Sequence, residues 1–368
     1  MIPILNLYEW GQQGLEGGRI LDSFQPLNHF LDDWVYGYTD RSEVAETILA
    51  IIEGCVKIND HVARSGLQSD NGKIVGDNAD GDAQKGLDVL SNKILINQLQ
   101  DLPVAQIISE EIEEAVVVDP NAHLIVAFDP LDGSSNIDTN VSIGTIFSIY
   151  DLDDGHPAGD IKCDALLGTN QRAAGYVIYG PGTMLVLTCG DGTHIFTLDP
   201  KTSKFHLTGE SIKIPTEASE FAVNLSNYRH WDEHIRTYID DCLDGEKGVR
   251  KENYNMRWVA SLVAECHRIF SRGGIFLYPG DHRPGYANGR LRLLYEANAV
   301  AFLVEQAGGA ATTGHGRVLE VEPTEIHQRV PLIFGSKAEV ERVERYYAEL
   351  HHTGIRSPLF EYRGLFRS

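Results

Sequence analysis

The feature that most constrains the fold of this chain is a short apolar run that stops abruptly at two aspartates. Residues 124–128 (Leu-Ile-Val-Ala-Phe) have the length and composition of a buried β-strand, and Asp129-Pro130-Leu131-Asp132 follows without a break. A second β-like run at 105–108 leads in the same way to Glu110 and Glu111. Because open α/β sheets bind their ligands beyond the carboxyl ends of their strands, we expect these acids to meet at one edge of a sheet.

The remaining sequence alternates between helical and strand-like periodicity. Apolar residues recur at helical spacing from Ser42, which is placed to cap a helix, to Gly66, which is placed to end it, and again over 87–99. Between these helices, residues 69–85 are rich in glycine, aspartate and asparagine, which is typical of a loop. A length of 368 residues is long for one core, so we expect two packed domains.

The sequence becomes polar over residues 210–220, and we place the domain boundary there. Strands faced by the early helices fill the first half, whereas strands and helices alternate in the second half, with a strand at 290–294 and a helix at 297–306. The pattern predicts an α/β protein. Its parts are an N-terminal α+β domain, a C-terminal α/β domain and a tail of unassigned role, at residues 1–212, 213–350 and 351–368.

Charge and composition exclude several classes of function. A net charge of −22 argues against nucleic acid as a partner, because the phosphate backbone needs a basic surface. The chain has no unbroken apolar stretch of the ~18 residues that a membrane span requires, so we expect no membrane partner. The first residues carry neither a basic segment nor a small-residue cleavage site, which favours a cytoplasmic location. Five scattered cysteines, an odd number, indicate reduced thiols.

The acids that follow the two strands have the chemistry of a site for a hard cation. Magnesium prefers oxygen ligands in near-octahedral geometry. Asp129 and Asp132 on one tight turn can direct two carboxylates at neighbouring ions, and Pro130 fixes the backbone between them. The carbonyl of Leu131 can then point inward as a neutral ligand.

Gly133-Ser134-Ser135 comes directly after these aspartates and has the composition of a phosphate cradle. Glycine lets the backbone approach an anion, and successive N–H groups and hydroxyls can donate to it. Asp-Pro and Asp-Gly are ordinary turn dipeptides, so each feature alone favours a purely structural role. Their adjacency favours metal-assisted transfer of a phosphoryl group to water, in which cations shield the phosphate.

Residues 128–138 read Phe-Asp-Pro-Leu-Asp-Gly-Ser-Ser-Asn-Ile-Asp. This string resembles the active-site motif of class I fructose-1,6-bisphosphatases, whereas the wider lithium-sensitive phosphatase group shares only its Asp-Pro-Leu/Ile-Asp-Gly core. Further matching pieces follow in the family's order at residues 87–92, 109–111, 141–147, 173–176, 291–296 and 326–329. The resemblance covers about residues 42–348. It implies a layered α-β-α-β-α sugar-phosphatase fold and hydrolysis of the 1-phosphate of fructose 1,6-bisphosphate by metal-activated water.

The resemblance also implies a role for each matching position. The residues implied to hold two or more Mg²⁺ ions per subunit, or Mn²⁺, are Glu110, Asp129, Leu131 through its carbonyl, Asp132, Glu296 and Asp82. Asp88 and Glu111 match the acids that orient and deprotonate the attacking water. The residues implied to bind the substrate are Asp132, Gly133, Ser134, Ser135, Asn224, Arg257, Tyr278 and Arg290. The family's equivalent of Arg257 reaches the site of a neighbouring subunit, which implies a homo-oligomer, with a tetramer expected.

Two departures from the family pattern touch the sugar site. The usual lysine before Leu-Arg-Leu-Leu is Arg290, and the usual tyrosine after the substrate arginine is Trp258. Arginine binds a phosphate as a planar fork rather than as a point charge, and tryptophan lacks the hydroxyl donor. Acceptance of sedoheptulose 1,7-bisphosphate therefore stays open.

A further departure concerns regulation. Animal enzymes of this family bind inhibitory AMP through positions that here carry Asp40 to Glu43, His123-Leu124 and Asp151. These replacements remove positive charge and an aromatic ring from the nucleotide pocket. We therefore expect weak or absent inhibition by AMP.

Two other functions are also compatible with parts of the sequence pattern. The nearest is a phosphatase of the same superfamily that acts on an inositol phosphate or a 3′-phosphonucleotide, although Asn224, Tyr278 and Arg290 favour a sugar bisphosphate. The second, from another class, is a non-catalytic regulator that binds a metal or a sugar phosphate. Such a regulator is expected to lack one or more of the acids, and all of them are present.

Overall fold

The computed structural model describes residues 24–67, 74–77, 83–152 and 163–353. Its helices in these ranges are α1 Leu27–Val35, α2 Ser42–Ala63, α3 Gly86–Leu99, α4 Glu233–Leu243, α5 Leu262–Arg272, α6 Asn298–Gln306 and α7 Lys337–Thr353. Residues 354–368, most of the predicted tail, lie outside the described residues, and the tail's first three residues belong to α7. None of the described helices is long and apolar enough to span a membrane.

The ends of α2 differ from the prediction. Ser42 is the first residue of the helix rather than its cap, and the preceding Arg41 makes no side-chain capping bond. The helix stops at Ala63, before Gly66, which lies in a single 3₁₀ turn. The apolar periodicity located this helix correctly because nine residues between Val44 and Ile58 are buried along it.

The segment predicted as one loop, residues 69–85, contains a small hairpin. The strands β1 Ile74–Asp77 and β2 Ala83–Lys85 pair antiparallel. The loop prediction was wrong for these strands. Asp82, the acid implied to bind a further metal, lies outside the described residues.

The larger sheet has eight strands in the order β10-β9-β8-β7-β6-β5-β3-β4. They are β3 Val104–Ser109, β4 Val116–Val117, β5 Leu124–Asp132, β6 Ile143–Asp151, β7 Gln171–Tyr179, β8 Thr183–Thr188, β9 Thr193–Asp199 and β10 Lys204–Gly209. Only β3 and β5 pair in parallel among these neighbours, with Ile107 opposite Val126 and Ser109 opposite Phe128. Their carboxyl ends therefore meet at one edge, as the sequence predicted for the acids that follow them.

The second sheet has five strands in the order β12-β11-β13-β17-β15, and β14 pairs with β16 beside it. These strands are β11 Glu220–Ala222, β12 Asn255–Arg257, β13 Ile275–Tyr278, β14 Leu291–Arg292, β15 Ala310–Thr312, β16 Arg329–Val330 and β17 Leu332–Gly335. The strand predicted at 290–294 is shorter than expected, because one π-helical turn, Leu293–Ala297, replaces its second half.

Three apolar cores hold five layers together, which confirms the layered α/β fold. Helices α1–α3 cover one face of the eight-stranded sheet through residues such as Ile48, Leu95 and Phe128. Helices α5 and α6 fill the space between its other face and the second sheet. Helices α4 and α7 cover the far face of that sheet, around Tyr238 and Val343. The order of layers is therefore α-β-α-β-α.

Candidate active site

Three carboxylates converge where the end of β5 faces the π-helical turn Leu293–Ala297. One oxygen from each of Asp129, Asp132 and Glu296 lies within 4.8 Å of the other two. The three residues are buried, with 3%, 8% and 6% of their surface exposed. The fold therefore brings acids that are far apart in sequence into one group shielded from water.

A break in strand pairing shapes the first part of this cluster. Asp129 and Asp132 lie inside β5 rather than after it, but the register against β6 shifts between them. Pro130 lacks an N–H for the ladder, and its carbonyl accepts a bond of 2.9 Å from the Thr145 hydroxyl. The N–H of Leu131 donates to Asp129 at 2.8 Å, which fixes that carboxylate beside the bulge.

Glu296 is held by the π-helical turn, a feature that is frequent at functional sites. Its carboxylate accepts the backbone N–H of Arg292 at 2.5 Å. The guanidinium of Arg292, only 4% exposed as a residue, lies 3.6 Å from the carboxylate of Glu110. Arg292 thus brings a buried positive charge to Glu110 and Glu296, and the sequence assigned it no role.

The start of α5 holds Asp132 from the second half of the chain. The N–H of Val263 donates to the Asp132 carboxylate at 2.9 Å, and the Ser261 hydroxyl lies 3.3 Å from the same oxygen. An acid at a helix N-terminus is stabilised by unpaired N–H groups and by the helix dipole. This contact could not be read from the sequence because backbone N–H groups have no residue signature.

The acids implied to act on water lie on α3 and just after β3. Asp88 is buried, with 2% of its surface exposed, one helical turn before Asn92. The Ser109 hydroxyl donates to the Asn92 side chain at 2.9 Å, and the N–H of Glu111 donates to that hydroxyl at 3.3 Å. Because residues four apart share a helix face, Asp88 lies on the face of α3 that meets the segment bearing Glu111.

The glycine-serine segment continues from β5 into a 3₁₀ helix, Ser134–Thr139. Gly133 precedes it with φ +78°, and a Cβ there would lie 3.2 Å from the Cβ of Ser261. The Asn136 amide donates to the Ala260 carbonyl at 2.8 Å. The segment therefore needs glycine at its start and is held against the loop that precedes α5.

Burial and mutual repulsion raise the pKa values of the clustered acids. Burial, reinforced by the charges of Glu110, Asp132 and Glu296, raises the pKa of Asp129 well above its usual range. Burial raises the pKa of Asp132 to about 6 and that of Glu296 to about 8, and the charge of Glu110 adds to both shifts. The donors are oxygens, the ligand type of a hard divalent cation, and a bound cation would keep these acids ionised. The cluster therefore fits a metal ion.

A second concavity lies at the end of β13. It brings together three residues that the sequence assigned to the sugar, Asn224, Tyr278 and Arg290, and adds Asn227 and Arg283. The oxygen of Asn224 accepts bonds from the Ser226 N–H and hydroxyl at 3.2 and 2.6 Å, which leaves its NH₂ group to meet a ligand.

Arg283 is a residue of this concavity that the sequence did not reveal. Its guanidinium pairs with the buried Asp281 and donates to Asn227 at 3.1 Å. The guanidinium carbons of Arg283 and Arg290 lie 4.4 and 4.8 Å from the ring centre of Tyr286. The surrounding Pro-Gly-rich segment is typical of a surface turn, so its arginine carried no functional signal.

Arg257 does not line this concavity. It ends the edge strand β12, its side chain is 52% exposed, and its described ion-pair partner is Glu220 at 3.6 Å. Within one chain the structure therefore places this arginine apart from the other sugar-site residues.

Comparison with known proteins decides the family. The model for "Fructose-1-6-bisphosphatase, N-terminal domain" matches residues 36–210, and that for "Fructose-1-6-bisphosphatase, C-terminal domain" matches residues 214–348. The chain belongs to the fructose-1,6-bisphosphatase family. It is accordingly an enzyme, a phosphoric monoester hydrolase of carbohydrate metabolism.

Relatives cover nearly the whole chain. It is 53% identical to the class 1 fructose-1,6-bisphosphatase of Azorhizobium caulinodans over 87% of this chain and 98% of that protein. It is 50% identical to one from Xanthobacter autotrophicus over 91% and 90% of the two chains. The crystal structure of holo Leishmania major fructose-1,6-bisphosphatase superposes with a TM-score of 0.82 at 37% identity, covering 89% of this chain and 99% of the other.

Against this family, the Trp258 departure has a structural explanation. The indole of Trp258 stacks on Phe276 and Tyr278, with ring centres 5.9 and 6.1 Å apart. At the position where the family resemblance implies a tyrosine, the tryptophan thus supplies aromatic surface against Tyr278, and it gives up the hydroxyl.

Proposed function

We propose that this member of the family hydrolyses the 1-phosphate of D-fructose 1,6-bisphosphate to fructose 6-phosphate and phosphate, with magnesium as its cofactor. The observation that carries the proposal is the approach of carboxylates from Asp129, Asp132 and Glu296 to within 4.8 Å of one another. A chain with a net charge of −22 needs local positive charge to bind a bisphosphate, and cations held by these acids provide it.

The proposed metal ligands are the oxygens of the cluster and of its neighbours. They are Glu110, Asp129, the Leu131 carbonyl, Asp132 and Glu296, with Asp82 as a further ligand implied by the family resemblance. Two or more Mg²⁺ ions, or Mn²⁺, fit such an all-oxygen set. When bound, the ions shield the phosphate and lower the pKa of the attacking water.

In this proposal the chain's own residues orient the reactants. Asp88 and Glu111 orient the water and accept its proton, and their support is the Asn92–Ser109 bond that holds α3 against the segment of Glu111. Gly133, Ser134 and Ser135 donate to the phosphate that leaves. The serines act as donors, so hydrolysis proceeds without a covalent phosphoenzyme.

At the other end of the substrate, Asn224, Tyr278 and Arg290 hold the sugar and its second phosphate. Arg257, exposed at a sheet edge, reaches the site of a neighbouring copy of the chain. The enzyme is therefore proposed to be a homo-oligomer in which each site takes an arginine from a second chain, and a tetramer is what the family resemblance implies.

The decisive experiment removes one carboxylate without changing its shape. Phosphate release from fructose 1,6-bisphosphate should require Mg²⁺, and Asp129→Asn should lower kcat at least about a hundredfold, the loss expected when a group that stabilises the transition state is removed. Asp101→Asn, at an exposed acid before β3, is the matched control and should behave as wild type. Metal-independent turnover, or an active Asp129→Asn enzyme, would contradict the mechanism.

A second substrate follows from the departures at Trp258 and Arg290. Loss of a hydroxyl donor and gain of a guanidinium fork change how the remote phosphate is held. Initial rates on sedoheptulose 1,7-bisphosphate should therefore be measurable beside those on fructose 1,6-bisphosphate. Inositol phosphates and 3′-phosphonucleotides in the same panel should not turn over.

A further inference from the structure

The segment that follows β3 carries an unusual density of negative charge. Four of the five residues from Glu110 to Glu114 are glutamates. Its first residue is fixed by a backbone bond from the Glu110 N–H to the Phe128 carbonyl at 3.2 Å. Charge repulsion within the segment, and between Glu110 and the buried cluster, favours its movement away from the site. The N–H groups of Glu111 and Ile112 tie the segment back to Ser109 at 3.3 Å each, and a further anchor comes from outside the segment.

A histidine from the far half of the chain supplies that anchor. Nε2 of His327 lies 3.0 Å from the Ile112 carbonyl oxygen and 3.3 Å from that of Glu113. A carbonyl oxygen only accepts, so Nε2 carries the proton. Nδ1 lies 2.9 Å from the Tyr295 hydroxyl. The tautomer with its proton on Nε2 satisfies all three contacts, with the hydroxyl as the donor to Nδ1.

The other end of this chain of contacts lies next to a proposed metal ligand. Tyr295 is fully buried and directly precedes Glu296 in the π-helical turn. The backbone next to His327 is also bonded to this turn. The Leu293 N–H donates to the Gln328 carbonyl at 2.8 Å, and Arg292 of β14 lies opposite Arg329 of the paired strand β16. His327 is therefore fixed to the turn that carries Glu296 and hydrogen-bonds to the segment that carries Glu110.

We propose that His327 is a positioning residue that sets the separation between Glu110 and Glu296, two acids contributed by different halves of the chain. It acts through the Ile112 carbonyl on one side and the Tyr295 hydroxyl on the other. Without it the acidic segment drifts outward and the metal site loses its geometry. The inference rests on the proposed metal role of these two glutamates.

Two amides test which contact matters. His327→Gln places an NH₂ group where Nε2 lies and keeps the bond to the Ile112 carbonyl. His327→Asn reaches only the position of Nδ1 and loses that bond. His315→Gln is the matched control, because His315 lines the same surface cavity of about 770 Å³ and its described ring contact is with Tyr347.

Two measurements are made on each full-length variant. The first is the rise in Tm that saturating Mg²⁺ produces, which reports metal binding without turnover. The second is the Mg²⁺ concentration at half-maximal phosphate release. Loss of an outer-shell contact weakens metal binding about tenfold or more, so His327→Asn and His327→Ala should raise the half-maximal Mg²⁺ concentration by about that factor and reduce the Tm increment. Tyr295→Phe and His327→Gln each lose only the contact between position 327 and the Tyr295 hydroxyl, so both should shift the two measurements in the same direction, whereas His315→Gln should match wild type.

A purely structural histidine gives a different result. His327→Asn would then lower Tm equally with and without Mg²⁺ and leave the Mg²⁺ requirement unchanged, and this outcome overturns the proposal. If substitutions of His327 prevent folding, Tyr295→Phe, which keeps the buried ring, allows the same comparison of Tm with and without Mg²⁺. If Mg²⁺ changes neither the Tm nor the activity of the wild-type enzyme, the proposed metal role itself is wrong. This measurement on wild type therefore distinguishes failure of the proposed function from failure of this inference.

Discussion

The carboxylate of Asp132 accepts the backbone N–H of Val263 at 2.9 Å, although 131 residues separate them in sequence. A proposed metal ligand at the end of a strand in one half of the chain is thus fixed by the first turn of α5 from the other half. Glu296 approaches the same cluster from a third segment. The site therefore exists only when the two halves are packed together, and its stability is coupled to that of the fold.

The first prediction concerns pH and the metal-free protein. Burial raises the pKa of Asp132 to about 6 and that of Glu296 to about 8 in the folded state. The unfolded chain titrates these groups near 4, so the folded state binds more protons between about pH 4 and 8. The free energy of unfolding should therefore fall as pH rises through this window, and Tm without metal should fall by several degrees from about pH 6 to 8.5.

Two comparisons isolate the cause of that fall. Glu296→Gln removes one of the titrating groups, so its Tm should decline less steeply over the same pH range. Saturating Mg²⁺ should flatten the decline in wild type, because a bound cation holds the acids ionised and its binding releases protons. A Tm without metal that rises with pH, with no difference in Glu296→Gln, would refute this account.

Strands and helices were predictable where a run of apolar residues was long enough. Residues 124–128 formed the expected strand as an unbroken apolar run that is buried throughout, and residues 87–99 formed the expected helix, on which Leu87, Leu95 and Leu99 are buried. The short strands β11, β12 and β16 were missed because two or three residues are too few to show a periodic pattern. The π-helical turn was missed for a similar reason, since its Leu-Leu-Tyr-Glu-Ala sequence fits a strand or a helix equally well.

The second prediction tests the turn before the proposed phosphate donors. Gly133→Ala places a Cβ at φ +78°, 3.2 Å from the Cβ of Ser261. The strain should lower the free energy of unfolding by about 1 kcal/mol or more and displace Ser134 and Ser135, with a large drop in kcat. Gly37→Ala is the matched control, since Gly37 has φ +84° with no atom within 4 Å of the added Cβ. It should lose similar stability in urea unfolding and keep full activity.

Some residues of the candidate site could be recognised from the sequence, and others could not. Asp129 could be anticipated because carboxylates after strands have recognisable chemistry, whereas Glu296 was anticipated only through the family resemblance. Arg292 and Arg283 could not, because a single arginine in sequence is most often a surface residue. Burial beside Glu110 and ion pairing with Asp281 became visible only in three dimensions.

The third prediction is that AMP inhibits weakly or not at all. At the positions that match the nucleotide pocket of animal enzymes, His123 lies between Glu43 and Asp151 at 2.8 and 2.7 Å, and Arg172 bonds Asp151 and Asp40. Burial opposes charging of His123, but bonds and charges from the two carboxylates outweigh it and raise its pKa. The available cations are thus already paired with acids and are poorly placed to bind a phosphate.

The measurement is activity on fructose 1,6-bisphosphate across AMP concentrations up to the millimolar range, at saturating Mg²⁺ and neutral pH. Activity should stay within experimental error of the AMP-free rate. Inorganic phosphate, a product, serves as the positive control for inhibition in the same assay. Strong inhibition by submillimolar AMP would show that the ion pairs around His123 and Arg172 break to admit a nucleotide, and it would contradict the prediction.

The fourth prediction tests whether Arg257 serves a neighbouring chain. Its side chain is 52% exposed at the edge strand β12 and lies outside the concavity of Asn224, Tyr278 and Arg290. Arg257→Ala should raise KM for the bisphosphate by about tenfold or more, because a charged hydrogen bond to phosphate is lost. A mixture with the inactive Asp129→Asn variant, refolded or exchanged together, should then regain activity at low substrate that neither variant shows alone. Hybrid oligomers combine an intact acid cluster from one chain with an intact arginine from another, whereas an arginine acting within its own chain would leave the mixture no better than the sum of its parts.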